Sequence, residues 1–279
     1  MKQYPALVSV LIPAHNEEQF IADAIASVHS QTVNASEILV VADACTDRTS
    51  QIATELGAKV FELNRRNMAA ALNVAVKASA QPWIAFLDAD DIWETEKLAW
   101  QFKAIDAFPT AGLIGCDYVQ LQDGGSTSLS ASARRERWDG IDSVKSECCR
   151  FVAEPTGELL PPLDLLTTCV MVRREVFDRV GFLDEDFLFG QTMEFFARTL
   201  ARHPLAFVEK PLAYHRRHEQ NHTRNLESYW PTHISIINRM LKHPEQYPTG
   251  AGEAYRAHLK RDFHQFERGL LKQQQKAIT

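Results

Sequence analysis

The stretch Trp83-Ile-Ala-Phe-Leu-Asp-Ala-Asp-Asp91 decides how we interpret this chain. Its first five residues form an apolar run, which is typical of a strand buried on both faces of a sheet. The run ends in Asp88, Asp90 and Asp91. If the chain stays extended there, its period of two places Asp88 and Asp90 on one side. Neighbouring carboxylates repel each other and suit a hard cation, so the stretch predicts an Mg²⁺ or Mn²⁺ site at the end of a strand.

These acids also have purely structural interpretations. Asp-x-Asp is common by chance, and Asp91 followed by Glu94 resembles the capping box that begins a helix. We favour the cap for Asp91. For Asp88 and Asp90, the choice between a metal site and a chance pattern depends on the sequence on either side of them.

Length, composition and charge limit the classes of protein to which this chain can belong. The chain has 279 residues and a net charge of −6, which fits one large α/β domain or two small ones and argues against a nucleic-acid binder. Five cysteines without a Cys-x-x-Cys pair indicate free thiols in a reducing compartment. The first residues lack the apolar core of a signal peptide, and no apolar stretch is long enough to span a membrane. We therefore expect a cytoplasmic protein.

Apolar runs and amphipathic segments alternate around the opening stretch. Strands are predicted at residues 7–12, 38–41, 59–63 and 83–87, and the intervening helices begin near Asn16, Thr46 and Asn67. Such alternation predicts a mainly parallel sheet with helices on both faces. The glycine fingerprints of dinucleotide-binding and P-loop proteins are absent from the sequence.

The second half of the chain has a less regular pattern. We predict a strand at 113–121, a mobile loop at 122–133, a loop at 154–162, a strand at 163–172, a helix at 191–202, short strands at 205–208 and 212–215, and helices from 226 onward. Three arginines follow the first loop: Arg134, Arg135 and Arg137. They could grip a phosphate, although a solvated basic turn is favoured for such a charge run.

Four stretches, taken together, resemble the family 2 glycosyltransferases of the GT-A fold. They are Ser9 to Glu18, Gln31-Thr32 with Glu37 to Thr49, Asn67 to Asn73, and Ile84 to Trp93, and their order and spacing fit that family. The resemblance implies an α/β GT-A fold with a mostly parallel, Rossmann-like central sheet flanked by helices and followed by a C-terminal helical extension. It divides the chain into a domain at 1–225, with a nucleotide-sugar-binding half at 1–115 and an acceptor half at 116–225, and an extension at 226–279.

The resemblance also implies roles for individual residues. Those along the nucleotide-sugar would be Pro13, Ala14, His15, Glu17, Asp43, Asn67, Asp88, Ala89 and Asp90. Asp43 matches an acid that hydrogen-bonds the base, commonly uracil, with capping of the next helix as its alternative. Ala42 stands where the family often has a second acid. Asp90, Asp88 and His218 would hold the metal; a surface position is the alternative for His218, and His215 and His222 lie close by in the sequence.

The sequence departs from the family pattern at Gln191-Thr-Met-Glu194. The family usually has Glu-Asp-x-Asp there, so Gln191 replaces the glutamate and Thr192 replaces the catalytic base of inverting members. Glu194 is the nearest carboxylate, but it lies about 200° around the helix from Thr192 and could instead pair with Arg198. Other conceivable bases are Asp184, Asp186, His215 and His218.

The resemblance therefore implies a metal-dependent, inverting glycosyltransferase that uses Mn²⁺ or Mg²⁺ and a nucleoside-diphosphate sugar, with UDP favoured. The alternative is a nucleotide-sugar-binding or regulatory module that has lost turnover, because a threonine is a poor proton acceptor. A nucleotidyltransferase is less favoured, since the first turn lacks a glycine-rich phosphate loop. The acceptor is not identified by the sequence, and the C-terminal helices could cover it, form a homodimer or rest on a membrane surface.

Overall fold

The structure is a computed structural model that describes residues 7–122, 127–129, 138, 140–147, 149–159, 165–218, 221 and 226–260. Its strands are β1 (Val8–Ala14), β2 (Glu37–Asp43), β3 (Lys59–Leu63), β4 (Trp83–Phe86), β5 (Ile92–Trp93), β6 (Leu113–Gln122), β7 (Thr127–Leu129), β8 (Val144–Ser146), β9 (Cys149–Val152), β10 (Met171–Arg173) and β11 (Leu205–Arg217). Its helices are α1 (Ile21–His29), α2 (Thr49–Glu55), α3 (Met68–Ala78), α4 (Lys97–Ala107), α5 (Glu175–Val180), α6 (Gln191–Leu200) and α7 (Leu226–Lys242). Residues 251–260 are also helical.

The strands form one mixed sheet in the order β3-β2-β1-β4-β10-β6-β11-β9-β8. The first four are parallel neighbours, and within this path β10 and β9 run against the others. The short strands β5 and β7 pair with β11 and β6. The prediction of a mostly parallel sheet is confirmed, and the carboxyl ends of β1, β2 and β4 share one edge.

Apolar side chains cover both faces of this sheet. In β1, Val10 and Ile12 belong to one core together with Ile25 of α1, whereas Leu11 belongs to the other core together with Leu72 of α3. This division follows from the alternation of side chains along a strand. The predicted placement of helices on both faces is therefore confirmed.

The observed ends of the helices can be compared with three local predictions. Asn67 caps α3, because its side-chain oxygen accepts from the Ala70 N–H at 2.9 Å. Gly57 ends α2 with a φ of 81°, as expected for a residue just past a helix. The predicted cap at Asn16 is wrong: α1 begins at Ile21, and the Asn16 side chain accepts from the Thr46 N–H at 2.7 Å.

The second half differs more from expectation. The two predicted short strands are one strand, β11, whose register shifts between Val208 and Ala213. Of the segment predicted as a strand at 163–172, the described residues form a 3-10 turn at Thr167–Cys169 followed by β10. The loop predicted at 122–133 contains β7, and the β8–β9 hairpin was not anticipated. Arg134, Arg135, Arg137 and residues 160–164 lie outside the described residues.

The C-terminal segment packs onto the second core through Ile236 and Met240 of α7. The boundary at residue 225 stays a prediction, since residues 222–225 and 261–279 lie outside the described part. Among the described helices, none combines the length and the apolar character needed to cross a bilayer.

Candidate functional site

The acidic residues after β4 form a turn. The Asp91 N–H donates to the Asp88 carbonyl at 3.1 Å, so the extended conformation that would align Asp88 with Asp90 does not persist. The turn nevertheless gathers Asp88, Asp90 and Asp91 beside Glu17 from the β1–α1 connection, and their charges act on one another. Ala89 is buried between the acids.

Asp90 is held by two side chains from beyond β11. His218 Nε2 lies 2.9 Å from Asp90 Oδ2, and the Asn221 side-chain amide donates to the same oxygen at 3.0 Å. His218 is only 6% exposed, so its alternative as a surface residue is wrong. The structure brings His218 and Asp90 together as the metal hypothesis requires, whereas His222 lies outside the described residues.

Asp91 holds the segment that precedes His218, through contacts with His215 and Arg216. Its Oδ1 accepts from the Arg216 backbone N–H at 2.9 Å and lies 3.3 Å from His215 Nδ1. Because α4 begins only at Lys97, the capping interpretation of Asp91 is wrong. Asp91 instead fixes the end of β11 against the acidic turn.

Three carboxylate oxygens of this group are buried without a hydrogen-bond donor: Glu17 Oε2, Asp88 Oδ1 and Asp91 Oδ2. Burial raises the pKa of Glu17 to about 8, and the charge of Asp90 acts in the same direction. Burial also raises the pKa of Asp88 well above its ordinary value, with added repulsion from Asp91 and Asp90. Buried oxygens that lack donors favour a bound cation, so the residues present fit the predicted metal.

The described residues contain no preassembled group of three metal-ligating side chains. This agrees with Mg²⁺-type sites, in which one or two carboxylates bind the ion and substrate phosphates and water complete its shell. We therefore treat Asp90, Asp88 and His218 as candidate ligands around a site that the substrate would complete.

A second group forms at the end of β2. The Asp43 carboxylate accepts from the backbone N–H groups of Arg65 (2.7 Å), Arg66 (2.9 Å) and Asn67 (2.6 Å). The alternative that Asp43 caps α2 is wrong; the Thr49 N–H of that helix bonds Asp47 instead. His15 Nδ1 donates to the Asp43 carbonyl at 2.6 Å, which ties the first turn to the second.

Next to Asp43 lies a cleft of about 770 Å³, lined by Ala44, Cys45, Thr46, Glu62, Leu63, Asn64 and Arg66. Three residues at or beside it have left-handed backbone angles: Asn16 (57°), Ala44 (55°) and Arg66 (49°). Each such residue costs on the order of 1 kcal/mol, and strain of this kind is concentrated at functional sites. Pro13 and Ala14 pair with Val41 and Ala42, at the end of β2 that leads to the cleft.

The segment before α6 is docked onto the β3–α3 connection. Asn67 Nδ2 donates to the Glu185 carbonyl at 2.7 Å, and Arg65 pairs with the Glu185 carboxylate at 2.8 Å. Asp184 is paired with Arg239 of α7. These contacts place residues 183–187 beside the cleft.

The start of α6 has no accessible carboxylate. Glu194 is fully buried, forms a two-fold ion pair with Arg198 (2.7 and 2.9 Å) and accepts from the Tyr247 hydroxyl at 2.6 Å. The pairing with Arg198 is thus confirmed, and Glu194 offers no free oxygen as a base. Thr192 Oγ1 accepts from Thr167 at 3.0 Å, and Gln191 is 96% buried with an unpartnered Oε1.

Two residues of this arrangement escaped the sequence analysis, Asn221 and Arg216. Arg216 donates its side-chain Nε–H to the Asp90 carbonyl at 3.0 Å. The available signal was their position in the polar segment around His218, just after the strand predicted at 212–215.

Comparison with known proteins identifies the relatives of this chain. Residues 9–181 match the family described as Glycosyl transferase family 2. An uncharacterized glycosyltransferase of Nostoc, alr2836, is 28% identical over 187 residues, 63% of this chain and 54% of the relative. The Escherichia coli glucosyltransferase WfgD, named for UDP-Glc and a diphosphoundecaprenol substrate, is 37% identical over 101 residues, 35% of this chain and 40% of WfgD. The match with alr2836 thus spans about half of that relative's length.

Two solved structures share the fold. Staphylococcus aureus TarS 1-349 with UDP-GlcNAc has a TM-score of 0.66 at 19% identity, covering 84% of this chain and 66% of TarS. The mannosyltransferase PcManGT from Pyrobaculum calidifontis, with GDP-Man and Mn²⁺, has a TM-score of 0.65 at 19% identity, covering 90% of this chain and 70% of PcManGT. The GT-A fold predicted from the resemblance is confirmed.

Proposed function

Because this chain belongs to glycosyl transferase family 2, we propose that it transfers a sugar from a nucleoside-diphosphate sugar to an acceptor. The observation that carries the proposal is the acidic turn at Asp88 to Asp91, whose buried oxygens lack donors and whose Asp90 is held by His218 and Asn221. This turn lies at the carboxyl ends of parallel strands, where α/β sheets bind ligands.

The donor would lie along the edge formed by the first two turns and the acidic turn. Its base would occupy the cleft beside Asp43, its ribose and diphosphate would pass His15, Asn67 and Ala89, and Asp88 and Asp90 would face the phosphates. WfgD is named for UDP-Glc, and TarS and PcManGT were solved with UDP-GlcNAc and GDP-Man, which supports a nucleotide-sugar here. We favour a UDP-linked sugar.

Asp90, with Asp88 and His218, would hold Mn²⁺ or Mg²⁺. A divalent cation held there would neutralise the charge that develops on the leaving diphosphate. His218 and Asn221 orient the Asp90 carboxylate through their contacts with Oδ2. Asp91 keeps the segment that carries them in place by accepting from the Arg216 N–H. The expected reaction is an in-line displacement at the anomeric carbon with inversion.

A second candidate function is supported by the start of α6. Thr192 and Gln191 cannot take up a proton at neutral pH. Glu194 is fully buried and ion-paired with Arg198, so it cannot reach an acceptor hydroxyl. General-base catalysis typically contributes about 10² to 10⁴-fold, so the lack of a proton acceptor at these three positions favours a module that binds nucleotide-sugars with little turnover.

Release of nucleoside diphosphate separates the two candidates. The protein is incubated with UDP- and GDP-sugars and Mn²⁺, with an acceptor panel, and the released diphosphate is quantified against the D90A variant. Release well above that variant is expected for the transferase. Binding without release would establish the binding module, and neither binding nor release would contradict both.

A further inference from the structure

The cleft beside Asp43 has a carboxylate whose role is not yet assigned. Glu62 lies on β3, lines the cleft and is exposed. It pairs in register with Ala42 of β2, which stands at the position where the family often has a second acid. In the described part of the chain, the Glu62 side chain forms no hydrogen bond or ion pair, and its charge acts on the Cys45 thiol across the cleft. A free carboxylate therefore faces the space where the proposed function places the base.

Asp43 has little capacity left for a ligand. A carboxylate offers about four acceptor positions, and three backbone N–H groups, from Arg65, Arg66 and Asn67, already occupy Asp43. These bonds hold Arg66 in its left-handed conformation at the cleft wall. Asp43 thus shapes the cleft and can accept at most one further donor.

The chemistry of Glu62 defines the kind of base it suits. An ionised carboxylate only accepts hydrogen bonds, so it pairs with the ring N–H of uracil or guanine. Cytosine and adenine present an unprotonated ring nitrogen at the same edge, and two acceptors repel each other. Arg66 adds a planar guanidinium to the same cleft, a group that stacks on ring faces.

We propose that the Glu62 carboxylate accepts a hydrogen bond from the ring N–H of the donor's nucleobase and thereby selects uracil or guanine over cytosine and adenine. This inference rests on the proposed function, since it needs a nucleotide in the cleft. It assigns Asp43 mainly to building the β3–α3 connection and Glu62 to discrimination between bases.

Calorimetric titration with UDP, GDP, CDP and ADP in the presence of Mn²⁺ tests the proposal on the wild type and on E62Q. The wild type is expected to bind UDP or GDP at least about tenfold more tightly than CDP and ADP, as a hydrogen bond to a charged group allows. In E62Q, affinity for the preferred nucleotide falls by about tenfold, and affinity for CDP is kept or rises because an amide can donate to cytosine N3.

E55Q is the matched control, because Glu55 is exposed on α2 and bonds only Gln51 within the described residues. It is expected to keep wild-type affinities. Unchanged base preference in E62Q, or equal affinity of the wild type for all four nucleotides, would overturn the role of Glu62 while leaving the proposed function intact. If the wild type binds no nucleotide, the proposed function fails first and this role fails with it.

Discussion

At the scale of single residues, Glu194 and Asp90 show how the fold assigns different tasks to two carboxylates. Glu194 is fully buried, and both its oxygens accept from Arg198 or Tyr247. Burial and the charge of Glu194 raise the pKa of Tyr247, so its hydroxyl remains a donor. Asp90 is partly exposed at the sheet edge and meets a neutral amide and an imidazole. Glu194 therefore stabilises the fold, and Asp90 is available to a ligand.

The substitution Glu194→Gln tests this assignment. It leaves Arg198 without its anionic partner in a buried setting, and breaking such a pair typically costs about 3 kcal/mol or more of unfolding free energy. Denaturant unfolding measures the loss. Nucleotide affinity measured well below the unfolding temperature is expected to stay at the wild-type value.

Glu175→Gln is the control, since Glu175 is exposed on α5. Its unfolding free energy is expected to remain within about 0.5 kcal/mol of the wild type. A stable E194Q protein that binds donor but has lost all turnover would instead identify Glu194 as the base.

At the scale of elements, Asn73 joins α3 to the segment before α6. Its side chain is buried, accepts from the Leu183 N–H at 3.0 Å and donates to the Leu183 carbonyl at 2.9 Å. It also donates to Glu185 at 3.0 Å. One amide thus satisfies both backbone groups of Leu183 and ties the two halves of the domain beside the cleft.

Asn73→Ala is expected to lower the unfolding free energy by about 2 kcal/mol, because the Leu183 N–H and carbonyl lose their buried partners. Hydrogen exchange at the Leu183 amide is expected to accelerate beyond what the global loss explains. Asn34→Ala, at an exposed position before β2, is the control and should change neither quantity. Unchanged protection of Leu183 in N73A would contradict the docking role.

The elements also show where sequence reasoning succeeds. Strands β1 to β4 are short apolar runs separated by amphipathic helices, and each signal is local, so the parallel half could be predicted. Asn67 could be recognised as a cap for the same reason. In contrast, β11 continues through Lys210 and Pro211, where the local pattern indicates a break. Its pairing with β6, which resumes at Pro211 after a register shift and extends to Arg217, sustains the strand, whereas β9 pairs only with residues 205–208.

The site was predictable only in part, because its contacts join distant segments. Asp88, Asp90 and Asp43 follow buried strands, which is a local signal. The contact of Asp90 with Asn221 spans 131 residues and depends on the path of β11, which the sequence pattern did not reveal. Likewise, the commitment of Asp43 to the backbone of Arg65 to Asn67 is visible only once the β3–α3 connection is placed.

At the scale of the whole molecule, the first half of the domain supplies the acidic turn and the cleft, and the second half supplies side chains and backbone groups that contact both. The segment after β11 delivers His218 and Asn221 to Asp90, while residues 183–187 dock against Asn67 and Asn73. Each half is therefore needed for a complete site, and ligand affinity should report on contacts from both.

The most direct test of the central claim is calorimetric titration of UDP with and without Mn²⁺, on the wild type, on D90A and on D178N. Asp178 is exposed on α5, so D178N controls for the loss of one negative charge. We predict that Mn²⁺ tightens binding to the wild type and D178N by about tenfold or more, and that D90A loses this gain while remaining folded. Binding that is independent of Mn²⁺ in the wild type, or a D90A protein that keeps the full Mn²⁺ effect, would contradict a metal-assisted nucleotide site at Asp90.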